Sequence, residues 1–102
     1  MKVYQALMQS GEILESDSFK SVYVHALSHA RGELYYSTPE ECLTYLYRLC
    51  IAEYTDEQYL NKYGYYQNEL IDRQEIGMVA VSRTGETVEY GRGIYEFERG
   101  DC

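Results

Sequence analysis

His25 and His29 stand four residues apart, the interval that puts two imidazoles on one face of a helix and that zinc-binding helices use. A structural or catalytic zinc needs at least three protein ligands. No glutamate follows His25, no CxxC occurs, and no third ligand is placed by spacing. The pair reads as amphipathic filler beside an apolar stripe, and no metal is expected. Cys42 and Cys50 fall in one predicted helix, eight residues and roughly 12 Å apart, too far for a bridge. On the apolar side of that helix their thiols read as packing rather than nucleophiles. Cys102 ends the sequence with no base beside it.

Glu53 falls in the same apolar stripe, where a buried carboxylate would suit proton transfer. In the last turn of a helix it reaches solvent instead, and no second carboxylate or histidine is placed to work with it. Gly91-Arg92-Gly93 contains GxG but lacks the third glycine and following helix of a dinucleotide loop. Arg99-Gly100-Asp101 resembles the integrin-binding tripeptide, a match of three residues that we take as chance. No catalytic, cofactor-binding or metal-binding residue is assigned, no cofactor is expected, and the chain reads as a non-enzyme.

What remains is the stretch YTDEQYLNKYGYYQNELID, residues 54–72. It interleaves Tyr54, Tyr59, Tyr63, Tyr65 and Tyr66 with acids, and Glu53 precedes it. Tyrosine supplies large contact area at low rotamer cost. Neighbouring carboxylates pair with Arg and Lys of a partner. Glu53, Asp56, Glu57, Tyr59, Tyr63, Tyr65, Tyr66, Glu69 and Asp72 are therefore the expected partner-binding residues. Tyr54, with Tyr59, is expected inward, and Tyr63–Tyr66 largely outward.

These groups must be positioned by a single domain, residues 1–102, expected to be α+β. KVYQALM (2–8) alternates and reads as a strand, QSGE as a turn and ILES as a short returning strand. Asp17 or Ser18 caps a predicted helix through Ala30, with apolar residues at 19, 22, 23, 26 and 30 and Gly32 as its stop. The β-branched SVYV run pulls that segment toward strand. Thr38, Pro39 and Glu41 form a capping box that predicts a helix to Tyr54, with Leu43, Leu46, Tyr47, Cys50 and Tyr54 inward. Residues 55–64 suggest a short second helix or an extension after a kink, and 65–75 a partly ordered connection. IGMVAVS (76–82) is apolar on both faces and predicts a central strand. RTGE then predicts a hairpin turn, and residues 87–97 a last strand with a bulge at 91–93. The sum is a small antiparallel sheet from both chain ends, with two to three helices packed on one face.

Seventeen acids against nine bases leave a net charge of −8. That balance opposes direct binding to nucleic acid, whose phosphates need Lys and Arg, and to acidic membranes. A basic partner fits it. No apolar run is long enough for a membrane span or a leader segment, and three cysteines suggest no disulfide framework, so a cytoplasmic setting is expected. In size and charge the chain resembles the small anti-defence proteins of phages and mobile elements, the anti-CRISPR and anti-restriction inhibitors. The resemblance covers no motif, so no functional residue is carried over. It implies an inhibitor whose carboxylates stand in for phosphates in the groove of a basic, nucleic-acid-handling enzyme such as a CRISPR nuclease. The alternative is a structural or adaptor domain that forms a homodimer through its tyrosines.

Overall fold

The structure, a computed structural model, describes residues 1–84 and 86–90. Its elements are β1 (Lys2–Met8), β2 (Ile13–Ser16), α1 (Phe19–Tyr36), β3 (Thr44–Leu60), β4 (Tyr66–Ser82) and β5 (Thr87–Tyr90). The strands form one antiparallel sheet in the order β2-β1-β3-β4-β5, curled into a half-barrel. The expected GxG bulge, the RGD tripeptide and Cys102 lie outside the described residues.

The single helix covers one face of the sheet. Ser18 is its N-cap, accepting a hydrogen bond from the Ser21 amide. Phe19, Val22, Ala26, Ala30 and Leu34 recur every three or four residues and form its buried stripe. The small residues Ala26 and Ala30 let the helix settle close to the sheet. There they meet Ala6 and Met8 of β1, Tyr45, Tyr47 and Leu49 of β3, and Val79 and Val81 of β4. The helix does not stop at Gly32 as expected. Gly32 is a tolerated interior residue, at about 1 kcal/mol relative to Ala, because Leu34 continues the stripe. The end is set at Ser37 by Arg83, whose guanidinium donates to the carbonyls of Leu34 (2.9 Å) and Cys42 (2.8 Å) and to Ser37 Oγ (2.9 Å). A cation satisfying the last carbonyls also suits the helix dipole.

The fold-class expectation of two to three helices is overturned. Residues 44–60, expected as helix to Tyr54 and a second helix beyond it, form a 17-residue strand. The capping-box residues build only one turn: the amides of Glu41 and Cys42 both bond to the Thr38 carbonyl, and the chain then extends. The physical reason is that the apolar residues of 43–54 satisfy both periods. Tyr45, Tyr47 and Leu49 alternate as well as Leu43, Leu46 and Cys50 recur. Tyr, Thr and Ile favour the pleated state, and pairing with β1 on one side and β4 on the other completes it. Leu46, expected in the core, is 43% exposed, whereas Leu49 is 0% exposed. Residues 66–75, expected as a connection, are the first half of β4. The strands at 2–8 and 13–16 occur at those bounds, and 76–82 is the second half of β4, between β3 and β5.

Candidate functional site

β3 and β4 outrun their neighbours. Pairing along β1 ends at Met1, whose amino group donates to the Tyr54 carbonyl (3.0 Å) and whose carbonyl accepts from the Tyr54 amide (2.8 Å), and among the described residues β5 pairs with β4 between Met78 and Val81. Residues 55–71 therefore leave the sheet as a two-stranded arm with no third strand beside it among the described residues. Every expected partner-binding residue lies on this arm or at its root. The structure brings them together through hairpin pairing rather than along a helix.

Three local devices shape the arm. At the tip, Asn61 Oδ1 accepts the amides of Tyr63 (2.9 Å) and Tyr65 (3.0 Å), while the Asn61 amide bonds to the Tyr65 carbonyl (2.8 Å). Gly64 there has φ +85°, a left-handed conformation that suits glycine. Near the base, residues 55–57 bulge opposite Glu69 alone. Thr55 Oγ1 accepts from the Glu69 amide (2.9 Å) and donates to the Glu57 carbonyl (2.7 Å), and Asn68 Nδ2 donates to the Thr55 carbonyl (2.7 Å). The bulge turns Glu57 out to solvent, while Asp56, also exposed, accepts from the N-terminal ammonium of Met1 at Oδ1 (3.0 Å). At the root, Tyr54, expected inward, is half-buried. Its hydroxyl accepts from Gln5 Nε2 (2.7 Å) and reaches Glu15 Oε2 (3.3 Å). Gln5, 1% exposed, also donates to Glu15 (2.7 Å) and accepts from Arg73 Nε (3.0 Å). The buried amide is thus satisfied on both ends and fixes the arm to the body.

The arm's surface is apolar and acidic at once. Tyr63, Tyr65 and Tyr66 are 72%, 71% and 70% exposed, joined by exposed Tyr59, Leu60, Leu70 and Ile71. Tyr59, expected inward, is exposed because its cross-strand partner is Gln67 and no layer packs over it among the described residues. Glu53 is half-buried and lies directly opposite Asp72, a like-charge pairing that a sheet does not favour, with Lys2 on its other side. Lys62 at the tip sits 5.1 Å from the Tyr63 ring centroid.

The remaining candidates of the sequence do not form a site. His25 is exposed on the helix. His29 is half-buried, with Nε2 3.4 Å from Glu12 Oε2 and 3.6 Å from Glu33 Oε1. No group of three metal-binding side chains occurs among the described residues. Cys50 is buried, and its thiol is pushed up by burial first and the Glu75 carboxylate second, against Arg73 and Arg48, which favours an inert thiol. Among the described residues no helix is long and apolar enough to cross a membrane.

One feature lay beyond the reach of sequence reasoning. On the sheet face opposite the helix, a groove of about 520 Å³ runs past Leu7, Leu46, Arg48 and Met78. Leu7, Arg48 and Met78 are register neighbours on β1, β3 and β4, with Ile13 of β2 beside Leu7. These residues come from four strands far apart in the chain, so no local pattern announces them. No protein-family model, curated protein or solved structure matches this chain.

Proposed function

We propose that the protein is a non-enzymatic, cytoplasmic binding protein whose working element is the β3–β4 arm, and that it inhibits a basic, nucleic-acid-handling enzyme by occupying its groove. The observation that supports this is the arm itself: seven large apolar side chains and the acids Asp56, Glu57 and Glu69 stand exposed on a hairpin that none of the described residues covers. Exposed apolar surface of that extent marks an interaction site. Tyrosines provide the contact and carboxylates the attraction to a cationic groove, in the manner of a nucleic-acid mimic. A net charge of −8 supports a basic partner, and Cys42 and Cys50, neither in a disulfide, accord with a reducing cytoplasm.

The test is affinity capture from cell lysate at several salt concentrations, comparing the wild-type chain with Asp56→Lys/Glu57→Lys and with Tyr65→Ser/Tyr66→Ser. The expected result is a basic protein that nucleic acid displaces, bound more slowly by the charge variant and released faster by the tyrosine variant. Capture that is indifferent to both variants overturns the role of the arm. Capture that depends on the arm but is unaffected by nucleic acid overturns the mimicry.

A further inference from the structure

We infer that the helix-free groove is a binding site for a small amphiphilic anion, an aliphatic chain with a carboxylate head that Arg48 holds. The site belongs to the body of the sheet and goes beyond the reading of the arm. Three observations carry it.

First, the groove has the size and the walls of a small-ligand site. Its volume of about 520 Å³ falls within the roughly 300–1,000 Å³ usual for such sites. Leu7, Leu46 and Met78 line it. Strand register extends the same apolar side beyond these walls. Ile13 of β2 pairs with Leu7, and Val88 of β5 pairs with Ala80, itself the partner of Leu46. Ile13, Leu46 and Val88 are all exposed, so an apolar strip crosses the sheet from β2 to β5. An aliphatic chain laid along it removes that surface from water.

Second, the groove offers donors to an anion. Arg48 is exposed and makes no hydrogen bond or ion pair with the described residues. On its side of the sheet Leu7 and Met78 flank it across the strands, and Leu46 and Cys50 flank it along β3. Gln9 stands where β1 ends, and its Oε1 accepts from the Leu46 amide (2.9 Å). That bond leaves Gln9 Nε2 to donate beside Leu46. Among the described residues no carboxylate lines the groove, in a chain of seventeen acids. Glu15 and Glu75 share this side of the sheet as the partners of Gln5 and Cys50. Glu15 is bonded to Gln5, and neither carboxylate forms an ion pair with Arg48. A guanidinium bounded by apolar side chains takes a carboxylate through two parallel hydrogen bonds, stronger once water is displaced.

Third, the pairing of the sheet favours an aliphatic occupant over a peptide. Around Arg48 the main chain of β3 is already paired on both sides, with β1 and with β4. A peptide lying on this face would bury its amides and carbonyls with only the side chains of Gln9, Thr44 and Arg48 to meet them. Buried polar groups without partners are costly. An aliphatic carboxylate carries its polar atoms at one end, which matches one cation on an apolar strip.

Isothermal titration calorimetry of the full chain with sodium dodecanoate, kept below micelle formation, tests this. The wild-type chain should bind one equivalent. Arg48→Met keeps an apolar stem, removes the charge and should weaken binding by at least roughly tenfold. Dodecyltrimethylammonium, with the same tail and a cationic head, should bind more weakly than dodecanoate by a similar factor. Leu46→Ser should weaken binding by removing apolar contact, and Tyr66→Ser on the arm should leave it unchanged. Methyl NMR of the wild-type chain locates the ligand without relying on any variant. Leu7, Leu46 and Met78 should shift with dodecanoate, and Leu60 and Leu70 of the arm should not. A wild-type chain that binds no dodecanoate overturns the inference. So does equal binding by Arg48→Met, equal binding of the cationic amphiphile, or shifts confined to Leu60 and Leu70. Capture of a basic partner is decided separately by the arm variants, whose acids and tyrosines take no part in this site.

Discussion

The same two strands run through both halves of this molecule and behave oppositely in each. Where β3 and β4 lie between their neighbours, alternate residues are buried: Tyr45, Tyr47, Leu49, Val79 and Val81 all pack under α1. Where they leave the sheet, residues of nearly the same chemistry are exposed, as with Tyr59, Tyr65, Tyr66 and Leu70. Tyrosine is therefore not one signal in this chain. In the body-half of β3 its ring fills the core, at Tyr45 and Tyr47, and on the arm it is a free surface, as it is at Tyr35 and Tyr36 where α1 ends. The difference comes from what stands beside the strand, a helix and a third strand in one region and neither, among the described residues, in the other. Stability should reside in the first region and binding in the second.

The largest expected effect breaks the body. Leu49 is fully buried between β1 and β4, with Ala6 and Gly77 as its cross-strand partners. Leu49→Ala should cost about 2–5 kcal/mol, since neighbours backed by a helix relax only partly into the cavity. Leu46→Ala, three residues away on the open face, should cost less than about 1 kcal/mol. Urea denaturation of the two variants checks the pair. Equal losses would mean that the two faces of β3 are not buried as described.

A smaller effect, of opposite sign, belongs to Tyr47. Its ring is buried in the core, yet its hydroxyl has no hydrogen-bond partner among the described residues. Burial raises its pKa strongly above the ordinary 10.0, the Glu89 carboxylate adds to this, and Arg31 opposes it. An unpaired buried hydroxyl costs about 1–3 kcal/mol. Tyr47→Phe keeps the ring and should stabilise the fold by about 1 kcal/mol. The pH dependence follows from the direction of the shift. Above the ordinary tyrosine pKa the unfolded chain releases this proton while the folded chain retains it, so folded stability falls as pH rises from there toward the raised value. Melting curves across the alkaline range should fall less steeply for Tyr47→Phe than for wild type. An identical slope would show that Tyr47 is able to ionise in the folded chain.

How much of this was legible follows the same division. The strand at 2–8, the strand at 13–16 and the start of α1 carry one clear period each, and the local pattern suffices. Residues 43–54 carry two periods at once, and the choice between them is made by β1 and β4, which no local pattern contains. The content of the candidate site was readable because residues 53–72 are contiguous, so either a helix or a hairpin keeps them together. Its shape was not, although Asn61 and Gly64 between two tyrosine-rich runs were the turn chemistry that marks a hairpin tip. The groove required the register of four strands.

The smallest expected effect is a null that sharpens the contrast. Tyr63, Tyr65 and Tyr66 each stand about seven-tenths exposed on the arm, and the tip turn is held by Asn61 rather than by their rings. Substituting any one of them by Ser should therefore change the stability of the isolated monomer by no more than about 0.5 kcal/mol. Urea denaturation of the three variants beside wild type checks this. A larger loss at any of the three would make that tyrosine part of the fold, and the division between a stabilising body and a binding arm would not hold at that position.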